Sequence, residues 1–140
     1  MADNTNSEPK RPIPRPTKLT QIFWDAAKEG KLLLQFDKIT GNPQFWPRPI
    51  SIHSCSTDQE WREVTGKGKL YAWTEVHVPV RGMEELAPYV LAAVELDEGV
   101  RVMSRLINVT ASELTPGMAV KVAWEELSED INMYLFEPVS

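Results

Sequence analysis

Cysteine is nearly missing from this 140-residue chain: Cys55 stands alone, so no disulfide can form within it. Histidine is almost as scarce, with only His53 and His77 to serve as imidazole bases or metal donors. No apolar stretch nears the roughly 20 residues that span a bilayer, and Met1–Pro16 contains no apolar segment of the secretory kind. There is no Gly-x-Ser-x-Gly elbow, and Gly66-Lys67-Gly68 is too short for a phosphate loop and opens a strand. Positive charge is short too. A net charge of -5 and a pI near 5.1 oppose binding to a phosphate backbone, which requires Lys and Arg in excess. The expectation is a cytoplasmic protein that binds no nucleic acid, enters no membrane and performs no catalysis on its own.

What remains is ordered along the chain. Pro9, Pro12, Pro14 and Pro16 keep residues 1–16 out of helix and sheet, which makes them a flexible proline-rich arm. Residues 1–18 are basic, with Lys10, Arg11, Arg15 and Lys18 against Asp3 and Glu8. A helix is expected over 17–30, with Thr17 as cap, an apolar stripe of Leu19, Ile22, Phe23, Ala26 and Ala27, and Gly30 as its stop. Trp24 lies just off that stripe, as a buried edge or a partner contact. Lys31–Phe36 reads as a strand leading into residues 37–58.

From Glu60 onward the pattern is β. Strands are expected at Lys69–Val78, Tyr89–Leu96, Val100–Ile107, Ala119–Leu127 and Asn132–Phe136, with Glu60–Thr65 as a lead-in. Val90, Ala92, Val94 and Leu96 alternate along one of them, and Asp97-Glu98-Gly99 makes the hairpin turn after it. Thr110 and Glu113 have capping-box spacing, so a short helical turn should precede the fourth strand. Five such strands suit a small OB-type barrel over residues 60–140.

Residues 31–59 carry the most informative pattern. Asp37-Lys38-Ile39-Thr40 and Ser51-Ile52-His53-Ser54 each have the spacing of a Cys-x-x-Cys zinc knuckle, with no cysteine at either end. Asp37, Thr40, Ser51 and Ser54 therefore stand where ligands would, and hydroxyls are poor zinc ligands beside thiolates. No metal is expected. The pattern instead assigns the hairpins' cohesion to apolar packing by Phe36, Ile39, Phe45, Trp46, Ile50 and Ile52. Cys55 is expected to be a buried, inert thiol. His77, ending a long strand, either meets a ligand at the barrel mouth or caps backbone carbonyls.

The runs Ile22-Phe23-Trp24, Glu29-Gly30-Lys31-Leu32-Leu33-Leu34-Gln35 and Phe45-Trp46-Pro47-Arg48-Pro49 resemble the zinc-ribbon/OB-fold proteins that accompany acyl-CoA enzymes. The likeness continues through Trp61–Gly68, Val76-His77, Pro88-Tyr89-Val90, Val94–Arg101 and Leu114–Met118, covering about residues 19–138. It implies a mainly β chain: an N-terminal helix, a rubredoxin-like ribbon lacking its metal over 31–59, and a C-terminal five-stranded OB barrel. It also implies a non-catalytic subunit beside a thiolase-like, aldolase or hydratase enzyme, with a coenzyme A thioester as substrate of the complex. A two-plus-two hetero-oligomer is the expected assembly. Candidate contacts with partner or acyl-CoA are Trp24, Phe45, Trp46, Arg48, His77 and Tyr89. Two other readings follow from the barrel: a single-stranded nucleic-acid binder using Tyr71 and Trp73, or a free-standing acyl-CoA binding module.

Overall fold

Among residues 11–139, which the computed structural model describes, the first regular element is a short helix, α1 (Gln21–Lys28). Residues 1–10 of the expected arm lie outside the described residues. Thr20, not Thr17, is the N-cap residue; Thr17 and Thr20 exchange side-chain hydrogen bonds with each other's amides at 3.2 and 2.8 Å. The helix ends at Gly30, whose φ is +75°. The Gly30 amide reaches the Ala27 carbonyl and the Lys31 amide reaches Ala26, the paired bonds of a Schellman stop. The buried face is Phe23, Trp24 and Ala27, while Ile22 is exposed. The apolar stripe is thus rotated by one position from the expected one, because Trp24 has more surface to remove from water than Ile22.

Three strands follow as one small antiparallel sheet: β1 (Leu32–Asp37), β2 (Pro43–Gln44) and β3 (Gln59–Val64), in the order β2-β1-β3. The expected lead-in to the barrel is therefore part of this sheet, since β3 pairs with β1 along its whole length, from Leu32 opposite Val64 to Asp37 opposite Gln59. The remaining strands are β4 (Lys67–Val76), β5 (Tyr89–Leu96), β6 (Arg101–Leu106), β7 (Ala119–Glu126) and β8 (Asn132–Pro138). They close into a barrel in the order β4-β5-β6-β8-β7. All pairings are antiparallel except β6 with β8, a parallel contact at Leu106 and Phe136. This is the five-stranded OB arrangement that the strand count predicts.

The alternation in β5 works as read: Val90, Ala92, Val94 and Leu96 point into the barrel with Leu70, Val102, Leu106, Val120 and Phe136. The Thr110–Glu113 box is a correction. A 3-10 turn forms at Ala111–Glu113, but the Thr110 hydroxyl donates to the Glu113 carboxylate at 2.9 Å, and neither side chain caps an amide. Ribbon and barrel are joined by Thr65 and Gly66 alone. Gly66 has φ of +75°, and a Cβ there would fall 2.3 Å from Val122 Cγ1, so only glycine fits the joint.

Candidate docking surface on the ribbon

Five aromatic rings gather where helix, ribbon and barrel meet. Phe23 and Trp24 come from α1, Phe45 and Trp46 from the segment after β2, and Tyr134 from β8, with ring centroids 5.0–6.3 Å apart and mostly edge-to-face. Burial pushes the Tyr134 hydroxyl up to about 12, so it stays neutral. Trp46 is the ring at the surface, 36% exposed, whereas Trp24 is 2% exposed. Of the six contact candidates, Trp24 therefore has no face to present. Phe45 is half-buried, and Arg48 is exposed immediately beyond Trp46.

A belt of glutamines fixes the backbone at Arg48. The Gln35 amide donates to the Arg48 carbonyl at 3.0 Å and its oxygen accepts the Arg48 amide at 2.7 Å; Gln59 donates to the same carbonyl at 3.0 Å. Gln44 links the belt together, donating to Gln35 and Gln59 and accepting the Ile52 amide at 2.9 Å. The Arg48 main chain is thus ordered before any partner arrives, so binding would have to order its side chain alone.

The knuckle positions are also polar clusters. Asp37 and Ser51 are 1% and 2% exposed, Ser54 is half-buried and Thr40 is exposed. One carboxylate and three neutral hydroxyls do not fit zinc, and both Asp37 oxygens already accept hydrogen bonds. Among the described residues no three His, Cys, Asp or Glu side chains cluster to hold a metal ion. The expected apolar cohesion is a second correction. Phe36 is buried, but Ile39 (66% exposed), Ile50 and Ile52 (55%) project into solvent. Hydrogen bonds, not these isoleucines, hold the hairpins. Cys55 is exposed as well, placed at the end of the second turn with φ of 61°.

Ser51, then Ser54, hold the Asp37 carboxyl well below its ordinary 3.8, with the Ile39 and Thr40 amides adding to the effect against the opposing influence of burial. A depressed carboxylate contributes stability that is complete above its unfolded value and lost as pH falls below it. Tm measured from pH 6 to pH 2.5 should therefore be flat at first and drop below about pH 4. Ser51→Ala should shrink that drop; a wild-type drop the variant leaves intact would assign it to other groups.

The barrel's outer features are scattered. His77 is exposed and sits 3.3 Å from Glu75, while Tyr89 is half-buried in a groove of about 520 Å³ that also passes Arg105. A groove of about 630 Å³ lies beside Tyr71, Glu95 and Pro116. Neither lining includes a histidine or cysteine. A bulge between Leu70 and Ala72 places Tyr71 outside, under the Arg101 guanidinium at 3.8 Å, while Trp73 packs on the core. The two rings thus make no shared stacking platform. Residue Arg11 of the arm lies against the barrel: Glu125 receives Arg11 at 2.6 Å and Arg105 at 3.0 Å. Burial works against the Glu125 charge, yet the two arginines hold the group below its ordinary 4.5.

Residues 61–125 match the family model described as "ChsH2, C-terminal OB-fold domain". Over 115 residues the chain is 35% identical to a DUF35 domain-containing scaffold protein of Methanocaldococcus jannaschii, covering 81% of this chain and 82% of that one. The chain belongs to the DUF35 scaffold family. Among solved structures, this DUF35 chain superimposes on a chain of the "Ltp2-ChsH2(DUF35) aldolase" with a TM-score of 0.80 and 28% identity, covering 90% of this chain and 98% of that one. It is also 31% identical over 138 residues to a Thermomonospora curvata protein named "Probable enoyl-CoA hydratase alpha subunit". That alignment takes in 97% of the DUF35 chain but only 43% of the longer relative. No helix among the described residues is long and apolar enough to cross a membrane.

Proposed function

We propose that this chain is a non-catalytic accessory subunit that docks on a separate thiolase-like or aldolase enzyme acting on acyl-CoA thioesters. It helps shape or brace that enzyme's active-site entrance, in a cytoplasmic two-plus-two complex. The observation that carries the reading is the fit of nearly the whole fold to a chain of the solved "Ltp2-ChsH2(DUF35) aldolase". A CoA thioester is long and flexible, and ordering it at an entrance costs conformational entropy; a rigid barrel beside that entrance lowers the cost. Trp46, Phe45 and Arg48 are the contact residues the reading favours, because aromatics and arginine dominate interface energetics and the glutamine belt clamps the Arg48 main chain. His77 and Tyr89, at the other end of β4 and β5, are the candidates for the acyl-CoA side. The hydratase relative leaves that enzyme class as a second partner type.

The test is capture of the tagged chain from its native host at physiological salt. An enzyme of one of these classes should be recovered in equal amount, and thioester turnover should belong to the complex alone. Turnover by the isolated chain would assign catalysis to it and reject the accessory role. Capture of single-stranded nucleic acid with a steep salt dependence would reject it in favour of the OB-fold alternative.

A further inference from the structure

Two turns with the spacing of zinc knuckles but no thiolates need a tie other than a metal ion, and the geometry supplies one. In the first turn Asp37 Oδ1 accepts the Ile39 and Thr40 amides at 2.7 and 3.2 Å, and the Gly41 amide donates to the Asp37 carbonyl at 2.7 Å. In the second turn Ser51 Oγ accepts the His53 and Ser54 amides at 3.0 and 3.4 Å, and the Cys55 amide donates to the Ser51 carbonyl at 3.0 Å. The patterns match bond for bond. In each turn the side-chain oxygen of the first residue gathers the next two free amides, as Asx and Ser/Thr turns do. The Ser51 hydroxyl then directs its own proton across the gap to Asp37 Oδ2 at 2.5 Å. Both side chains are buried, so the bond is charge-assisted and shielded from water.

We infer that the Asp37–Ser51 hydrogen bond replaces the metal as the cross-link between the two turns, and that their backbone still has the frame to take a metal if thiolates are restored. The ribbon then keeps its shape without any metal supply. The frame is retained because each turn's amides are satisfied by the first side chain whether that atom is oxygen or sulfur. The tie differs from a metal in one respect: it centres on the Asp37 carboxylate, reached from the second turn by Ser51 and more weakly by Ser54, and leaves Thr40 without a side-chain share in it.

Two sets of variants test this. Ser51→Ala and Asp37→Asn should each lower Tm by roughly 5–10 °C, and the double variant should be no worse than the poorer single, because both remove the same tie. Losses that add would overturn the cross-link. So would a fall in the wild-type Tm on treatment with a chelator. The second set is the four-cysteine variant D37C/T40C/S51C/S54C, titrated with cobalt(II). One cobalt per chain with tetrahedral thiolate absorption, absent from the wild type, is the expected result. A folded variant that takes up no cobalt would overturn the claim that the frame persists. If that variant does not fold, the Ser51 and Asp37 series still decides the cross-link.

Discussion

Phe23→Ala should destabilise the protein by about 3–5 kcal/mol, the range for emptying a large aromatic site in a core. Phe23 is 1% exposed and lies 5.0–6.0 Å from Trp24, Phe45, Trp46 and Tyr134, four rings contributed by all three parts of the fold. Little else can refill that space. The neighbouring rings belong to separate elements and would have to move those elements to close the cavity. Thermal unfolding should show a Tm lowered by more than about 10 °C. Ile22→Ala is the control, one residue away and half in solvent, with an expected change within about 0.5 kcal/mol. Equal effects at the two positions would mean that the aromatic cluster does not fasten the helix to the barrel.

Loss of partner capture on changing Trp46 or Arg48 to alanine is the second strong expectation. A buried interface anchor is worth 2 kcal/mol or more, about a 30-fold loss of affinity. Trp46 also packs on Phe23 and Trp24, so its removal will lower stability somewhat. Arg48 separates the two effects. Its exposed side chain leaves the fold intact when removed, since the glutamine belt holds only its main chain. Arg48→Ala should thus weaken capture with Tm unchanged. Binding that survives both changes would move the interface elsewhere on the chain.

The strands were legible because alternation is local. Val90 to Leu96 declare their inner face without reference to any other residue, and Gly99 marks the turn after them. The helix was legible in extent but not in facing, because Ile22 and Trp24 are separated by two positions and only distant rings, Trp46 of the ribbon and Tyr134 of the barrel, decide which turns inward. The ribbon's cohesion was misjudged for a similar reason. Isoleucines at 39, 50 and 52 look like a core in one dimension, while the residues that hold the turns, Gln35, Gln44, Gln59, Asp37 and Ser51, are polar and find one another only through the pairing of β1 with β2 and β3. A usable signal was present: glutamines inside apolar strands, and an acceptor and a hydroxyl at the matching first positions of two turns. Exposure of the contact candidates was legible only in part. Trp46 and Arg48 lie at the surface as a docking site requires, while Trp24 does not, and nothing in local sequence distinguishes two tryptophans that enter the same cluster.

The two-residue joint at Thr65 and Gly66 has a mechanical meaning. With Gly66 pressed against Val122 and Phe45 packed on Tyr134, the sheet at one end and the ring of strands at the other are fastened at two places, in the manner of a bracket. A partner that held the ribbon turns would in that way also fix the orientation of the loop that bears His77, at the far end of β4. Lengthening that joint alone would leave Phe45 packed against Tyr134, so both fastenings would have to be loosened before where one end is held is uncoupled from where the other points.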